Sequence, residues 1–258
     1  MKSSTIDSLQ AETAGDKVAG KADQEHLLLS KPNKNSWAKR YWWKILCIIL
    51  LLYTIIGGFL MPVPALAILH ETIRNLYFHV TMWFGMLVIF FVSFVYSIKY
   101  LGSSSHEHDM VACEAANVGL LYGTLGLITG SIWARYTWGS FWSNDPKELC
   151  AAIGWLVYMA YFVLRNSFTD IDKRARVSAV YNVFAFVIII PILFVIPRMT
   201  DSLHPGNGGN PGFNTYDLDS HLRMVFYPAA AGWILLAVWL LNLRVRMRKI
   251  ELKKLLHA

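Results

Sequence analysis

Cysteine is scarce in this sequence, and the three cysteines stand far apart. Cys47, Cys113 and Cys150 form neither a close pair nor a Cys-x-x-Cys motif. A small domain held by disulfides needs a framework of paired cysteines, and a thiol redox centre needs a closely spaced pair. Neither class is supported, and we expect the three thiols to be small buried residues within or beside apolar stretches.

Charged residues are also few, at 16% of the 258 residues, whereas 55% are hydrophobic. The hydrophobic residues come in blocks of about 20, the length that an α-helix needs to cross the roughly 30 Å hydrocarbon core of a bilayer. The blocks hold almost none of the charges expected along the path of a transporter or channel. We predict an all-α membrane protein, a bundle of six transmembrane helices at residues 43–61, 78–98, 111–133, 147–165, 178–197 and 224–243.

The basic residues are distributed unevenly between the two sides of this predicted bundle. With the N-terminus inside, the outer loops hold five of the 24 lysines and arginines and the inner segments hold the other 19. The five are Arg74, Arg135, Lys147, Arg198 and Arg223. By the positive-inside rule, this asymmetry places both termini in the cytoplasm. The net charge of +7 therefore indicates topology and contact with membrane lipids, and no nucleic-acid partner is expected.

Three regions follow from this topology. Residues 1–42 are predicted to be a polar, mostly disordered cytoplasmic tail, because large apolar side chains are few there. Residues 43–245 form the transmembrane domain, and residues 246–258 form a basic cytoplasmic tail. The polar stretch before the first span is too long for the charged region of a secretory signal peptide, so we expect that span to remain as an anchor.

The most distinctive segment follows the third span and contains five aromatic residues within ten positions. They are Trp133, Tyr136, Trp138, Phe141 and Trp142. The segment ends in Asp145-Pro-Lys-Glu148, a helix-start pattern in which Asp145 caps, Pro146 takes the first helical position and Glu148 reaches back. We expect a Trp-rich outer loop with a short amphipathic segment. The flat faces of its aromatic rings suit a large planar molecule. For Trp133 and Tyr136, a simple interfacial belt is the alternative interpretation.

Three histidines are predicted to lie at the outer ends of spans, near the Trp-rich loop: His79, His204 and His221. Two neutral imidazoles can ligate a heme iron from opposite sides while aromatic faces cover the porphyrin. Arg135, Lys147 or the helix N-terminus at Pro146 could receive the propionates. The residues alone leave other interpretations open. His79 could be a core histidine whose ring is satisfied by a backbone carbonyl, and His204 or His221 could be an ordinary loop residue.

Four short segments at defined positions relative to the six predicted spans carry a resemblance to a known family. They are Leu76-Tyr-Phe-His79-Val, Thr129-Gly-Ser-Ile-Trp133, Trp138-Gly-Ser-Phe-Trp142-Ser-Asn-Asp145 and Asp201-Ser-Leu-His204-Pro. In these segments the chain resembles the heme-handling proteins of cytochrome c maturation that carry a tryptophan-rich outer loop, and the CcmC type most closely. The similarity runs from about residue 43 to residue 245.

This resemblance implies a role in handling heme b without turnover of bonds. It implies that His79 and His204 are the axial iron ligands. The residues that it places in the binding loop are Trp133, Trp138, Phe141, Trp142 and Asp145. It also implies that heme is presented on the periplasmic side of a bacterial inner membrane to a heme chaperone of the CcmE type, with an ABC-type CcmA/CcmB complex as a further partner. His221 remains an alternative to His204, either as a ligand or as a proton-linked neighbour.

Two features depart from the CcmC pattern. Asn144 stands where the family usually has a second Trp just before the Asp, which removes one stacking face. The ending Asp145-Pro-Lys-Glu148 looks more like the CcsA branch, whose larger relatives form a cytochrome c synthase with a partner and attach heme to Cys-x-x-Cys-His sites. With six spans and 258 residues the chain fits the CcmC type, and a CcsA-type synthase subunit is the alternative function.

Overall fold

The structure is a computed structural model, and it describes residues 34–66, 68–204 and 218–256. Its α-helices are α1 Lys34–Leu60, α2 Leu76–Ser103, α3 His106–Trp138, α4 Pro146–Asn166, α5 Ile171–Phe194 and α6 Ser220–Leu256. Two 3-10 helices, His70–Asn75 and Ile196–Arg198, precede α2 and follow α5. The chain divides into two units, residues 1–42 and 43–258. Most of the predicted N-terminal tail, residues 1–33, lies outside the described residues.

All six helices are long and apolar enough to cross a membrane, and the described residues contain no strand. The predicted fold class, an all-α bundle with six membrane-spanning helices, is therefore confirmed. Several helices are longer than the predicted spans, with 33 residues in α3 and 37 in α6. Hydropathy marks only the part of a helix that crosses hydrocarbon, whereas the backbone hydrogen bonds continue into the polar regions on either side.

The connections that join the helices divide between the two ends of the bundle. Three long connections join helices at one end, here named the long-loop end, and the structure describes residues 61–66, 68–75, 139–145, 195–204 and 218–219 of them. Residues 104–105 and 167–170 make short connections at the other end. Hydrogen bonds from Ser202 and Leu203 to the Asp145 carboxylate join the second and third of the long connections. The indole N–H of Trp133 on α3 donates to Thr72 in the first. The predicted histidine and tryptophan positions all fall at this long-loop end.

The packing of α2 against α3 depends on four glycines of α3, each of which faces a large side chain of α2. The pairs are Gly119 with Phe90, Gly123 with Met86, Gly126 with Trp83 and Gly130 with His79. Small residues at such positions let two helix backbones approach closely within a membrane. The last pair lies at the long-loop end, so the same packing that holds the two helices together also fixes the place of His79.

A buried ion pair joins α3 and α4 at the opposite end of the bundle. The two guanidinium nitrogens of Arg165 donate to the two carboxylate oxygens of Asp109 at 2.7 and 2.6 Å. Both side chains are about nine-tenths buried. Asp109 lies in the first turn of α3 and Arg165 in the last turn of α4, where each charge also opposes the partial charge of its own helix end.

Removal of one partner of this pair is expected to destabilise the bundle strongly. Replacing Asp109 with Leu leaves a buried guanidinium uncompensated, which costs about 3–5 kcal/mol in such sites. Replacing both residues, as in D109L/R165M, should recover most of the loss, because no buried charge remains. Equilibrium unfolding in mixed detergent measures both variants, and a single variant as stable as the wild type would contradict the assignment.

Candidate functional site

A cavity of 810 Å³ lies at the long-loop end, between α2, α3, α4 and the segment that follows α5. Its volume is within the roughly 300–1,000 Å³ of ordinary cofactor and ligand sites. Much of its wall is aliphatic, from residues Leu66, Leu69, Leu76, Val80, Leu127 and Leu193. The predicted site residues that line it are His79, Trp133, Trp138, Phe141, Trp142 and His204. The structure therefore brings these six side chains together around one apolar space.

His79 enters the cavity from the first turn of α2. Its Nδ1 lies 3.0 Å from the Gly126 carbonyl oxygen and 3.3 Å from the Thr129 hydroxyl on α3. A neutral ring with its proton on Nδ1 satisfies this arrangement by donating to the carbonyl, which leaves the lone pair on Nε2. Within the described part of the chain, Nε2 has no hydrogen-bond partner. The ring is thus held by a backbone carbonyl and still presents a free ligand atom.

Two tryptophans hold the His79 ring edge-to-face. The centroid of Trp133 on α3 lies 5.8 Å from the imidazole centroid, with 77° between the ring planes. Trp83, one turn further along α2, lies at 6.1 Å and 83°. Edge-to-face contacts of this kind are favourable for aromatic rings, so they restrict rotation of the imidazole in addition to its hydrogen bonds.

His204 follows the 3-10 helix Ile196–Arg198 and is positioned by Asp145. The carboxylate of Asp145 accepts from His204 Nδ1 at 2.9 Å, from the Ser202 hydroxyl at 2.9 Å and from the Leu203 N–H at 2.6 Å. A carboxylate that accepts from one ring nitrogen fixes the tautomer and makes the other nitrogen a better metal ligand. The Trp138 ring packs 4.7 Å from the imidazole, with 68° between the planes.

The protonation of this pair follows from its burial. Burial lowers the pKa of His204, and the adjacent Asp145 carboxylate offsets only part of this effect, so the imidazole pKa lies below its ordinary value. Burial alone would raise the pKa of Asp145, but hydrogen bonds from the Leu203 and Lys147 N–H groups and from Ser202 outweigh it and place that pKa below its ordinary value. The pair is therefore a neutral imidazole that donates to an ionised carboxylate.

Stability is expected to fall as the pH drops below about 6.5, the ordinary histidine pKa. In this range the unfolded His204 takes up a proton that the folded ring resists, so the unfolded state binds more protons and gains in population. Asp145 acts in the same direction at lower pH, below about 3.9. Thermal unfolding between about pH 7.5 and 5 should show this slope in wild type and a shallower one in H204Q. Parallel curves for the two proteins would contradict the lowered pKa of the buried His204 ring.

Asp145 also begins α4, as predicted. Its carboxylate accepts from the Lys147 N–H at 2.9 Å, with Pro146 at the first helical position. The predicted capping box would have Glu148 reach back to Asp145. The Glu148 carboxylate instead accepts from the N–H and the hydroxyl of Ser143, two residues earlier, at 2.8 and 2.9 Å. A single carboxylate thus fixes both the start of α4 and the orientation of His204.

The Trp-rich segment is divided between a helix and a loop. Helix α3 continues to Trp138, and residues 139–145 contain no helix, so the predicted short amphipathic segment in this loop is wrong. Asn144 has a φ of 58°, a left-handed conformation that Asn adopts more readily than most residues. Its side-chain oxygen accepts from Trp142 Nε1 at 2.8 Å. The residue that departs from the family pattern therefore orients one of the cavity tryptophans.

Three predicted residues lie away from the cavity wall. The side chain of Asp145 acts through His204, as described, and Arg135 packs over the Phe141 ring and donates to the Gly139 carbonyl. His221 is more than half exposed and lies 3.7 Å from the Asp219 carboxylate. Among the described residues that line the cavity, His79 and His204 are the histidines.

Sequence reasoning missed three residues that hold His79, namely Trp83, Thr129 and Gly130. Trp83 follows His79 by four positions on α2, so helical spacing alone places it on the same face. Thr129 and Gly130 stand in the quoted segment before Trp133, but only the contact of α3 with α2 reveals their role. In the sequence, Thr129 and Gly130 are visible only as small residues of the span that follows the one bearing His79.

Comparison with known proteins gives relatives that match most of the chain and relatives that match a part of it. The sequence profile of the family described as "Heme exporter protein C" matches residues 28–256. Heme exporter protein C of Rhodobacter capsulatus is 25% identical over 214 residues, which cover 81% of this chain and 86% of that protein. The cytochrome c biogenesis protein CcsA of Prochlorococcus marinus is 42% identical over 86 residues, which cover 33% of this chain.

The CcsA relatives are longer proteins that match only in part. The matched segment covers 27% of the Prochlorococcus marinus protein and 36% of CcsA from the plant Cuscuta reflexa, which is 32% identical over 113 residues. The stronger local identity is thus with CcsA, while the match along most of the chain is with heme exporter protein C. The profile match spans most of the sequence, and the chain belongs to the heme exporter protein C family.

Proposed function

We propose that this protein handles heme for cytochrome c biogenesis, binding heme b through His79 and His204 and delivering it to a heme chaperone. The observation that carries the proposal is the position of both imidazoles on the wall of one apolar cavity, each with Nδ1 engaged. Two such rings leave two Nε2 lone pairs for the axial positions of a heme iron. The heme is cargo in this proposal: its iron would gain and lose the two axial ligands, while no covalent bond of the macrocycle is formed or broken.

The aromatic side chains supply the surface for the macrocycle. Trp138 and Trp142 line the cavity beside Phe141, and flat aromatic faces suit the faces of a porphyrin. The backbone N–H of Lys147 at the start of α4 already donates to Asp145, so this group is not left for a propionate. We therefore assign the propionates to the ammonium group of Lys147 in preference to Arg135, because Lys147 is among the residues that line the cavity and Arg135 is not.

The proposed setting is the bacterial inner membrane, with both termini in the cytoplasm and the long-loop end in the periplasm. The location of 19 of the 24 basic residues in the other loops and tails supports this orientation. The proposed recipient is a membrane-anchored chaperone of the CcmE type, and the proposed assembly includes an ABC-type CcmA/CcmB complex. Membership of the heme exporter protein C family supports both.

A second function, a CcsA-type subunit of a cytochrome c synthase, is favoured by one observation. The local identity with CcsA proteins reaches 42% over 86 residues, against 25% along the match with heme exporter protein C. A synthase subunit would yield cytochrome with thioether-linked heme when expressed with its partner and apocytochrome. A delivery protein would yield no such cytochrome under the same conditions, and it would yield a heme-loaded chaperone when expressed with that chaperone.

An absorption spectrum of the purified protein titrated with hemin tests the proposal. Ferric and ferrous spectra of a six-coordinate, low-spin heme are expected, followed by transfer of that heme to the purified chaperone domain. An apoprotein that binds no hemin, or binds it without saturation as membranes do, would overturn the proposed function.

A further inference from the structure

A second, smaller cavity lies on the other side of Trp133. It has a volume of 310 Å³ and lies between the outer end of α1, the 3-10 helix His70–Asn75 and α3. We name it the side cavity. Besides Trp133, its lining consists of apolar and aromatic residues, two threonines and the polar residues of the 3-10 helix, namely Phe59, Phe78, Ile132, Tyr136, Thr72, Thr129, Glu71, Arg74 and Asn75. Among the described residues, Trp133 alone lines both cavities. One indole ring therefore stands between the two spaces.

The side cavity faces the lipid-exposed surface of the bundle. Phe59 is 61% exposed, Ile132 48% and Tyr136 76%. Apolar and aromatic side chains exposed near the end of a membrane helix contact lipid at the level of the headgroups. The main cavity is thus separated from the outer leaflet by one side chain on this flank of the bundle.

The wall between the cavities is fastened by few bonds. Trp133 Nε1 donates to the Thr72 hydroxyl at 3.0 Å, and this hydroxyl donates to the Leu69 carbonyl at 2.5 Å. Asn75, at the other end of the 3-10 helix, donates to the Thr129 carbonyl at 3.0 Å. The 3-10 helix begins at His70 with a φ of 44°, a backbone conformation that is strained for a residue with a side chain.

The contacts of Thr129 connect this wall with the proposed iron ligand. Thr129 lines the side cavity, and its hydroxyl also lies 3.3 Å from His79 Nδ1. Trp133 packs against the same imidazole. A ligand that displaces Trp133 from the side cavity therefore arrives directly at His79.

We propose that the side cavity is a lateral entrance through which heme passes from the outer leaflet into the main cavity, with Trp133 as its movable wall. This inference rests on the proposed function. Heme is a flat, largely apolar macrocycle that partitions into bilayers and carries two propionates. The entrance offers the macrocycle the apolar side chains of Phe59, Ile132 and Tyr136, beside the Glu71–Arg74 ion pair. Displacement of the Trp133 ring joins the two spaces, and its return against Thr72 closes the cavity behind the cargo.

The first test removes the bond that fastens the wall. T72V keeps the shape of the side chain but cannot accept from Trp133, so both the loading and the release of heme should accelerate by about two- to tenfold, the factor that corresponds to one ordinary hydrogen bond. The equilibrium spectrum should stay low-spin. The matched control is T124V, because Thr124 accepts from Trp155 Nε1 at 2.9 Å and lines neither cavity. Equal rates in T72V and T124V would contradict the entrance.

The second test blocks the entrance. I132C, in a protein whose Cys47, Cys113 and Cys150 are replaced by alanine, is labelled with a bulky maleimide after reconstitution into nanodiscs. Loading is followed by stopped-flow absorbance, from hemin dissolved in donor vesicles and from an aqueous hemin–albumin complex.

The label should slow loading from the membrane and leave loading from albumin unchanged, whereas a label at the lipid-facing V187C, at a site 55% exposed on α5, should change neither. Unchanged loading from vesicles after labelling of I132C would overturn the lateral entrance while leaving heme binding intact. Failure of the unlabelled protein to bind heme from either source would instead contradict the proposed function.

Discussion

Replacing His79 or His204 with alanine is expected to abolish the low-spin heme spectrum and the loading of the chaperone. Loss of a hydrogen-bond partner of a metal ligand already costs about 10- to 100-fold in affinity, so loss of the ligand itself should cost about 100-fold or more. Residual heme should be five-coordinate and high-spin. Hemin titration and spectra of H79A and H204A measure both effects.

Added imidazole distinguishes loss of a ligand from loss of structure. The space left by the ring in H79A or H204A opens on the cavity, so exogenous imidazole should restore a low-spin spectrum if the bundle is intact. H221A is the matched control, because His221 is exposed and does not line the cavity. A normal spectrum in H204A together with a high-spin spectrum in H221A would transfer the ligand role to His221.

Much of the fold could be predicted because membrane-spanning helices follow from local sequence. A run of about 20 apolar residues has few other structures open to it in a bilayer, and all six such runs are helices in the structure. The start of α4 could also be predicted from local sequence, because the capping pattern consists of the neighbouring residues Asp145 and Pro146. The prediction that His79 and His204 lie at the same end of the bundle needed only the fact that successive spans run in opposite directions.

The contacts that hold the two histidines could not be predicted, because they join distant parts of the chain. Asp145 and His204 are 59 positions apart, and His79 and Gly126 are 47 apart. Neither pair has a spacing that a local pattern reveals. The predicted amphipathic segment was wrong because α3 continues through the aromatic residues as far as Trp138. Aromatic residues at a membrane interface occur both in loops and at the ends of spanning helices, so the sequence did not show where α3 ends.

Gly130→Ala is expected to impair heme binding without touching a ligand. A Cβ at this position would lie 2.5 Å from His79 Cε1 and 3.1 Å from Nδ1, so the imidazole must move away from the Gly126 carbonyl that now holds it. Alanine favours the helical backbone of α3 by about 1 kcal/mol over glycine, so the helix itself should not suffer. The displaced ligand should lower heme affinity by about 10- to 100-fold, as for a lost partner of a metal ligand.

The matched control for this variant is Gly154→Ala on α4, because an added Cβ there would lie 3.5 Å from Leu193 Cδ2, an ordinary van der Waals contact. Both variants add one methyl group inside a membrane helix, so only G130A should convert the spectrum towards high spin. An unchanged low-spin spectrum and affinity in G130A would mean that the His79 ring can move without losing the iron. The close packing of α2 on α3 would then hold the bundle together without setting the ligand geometry.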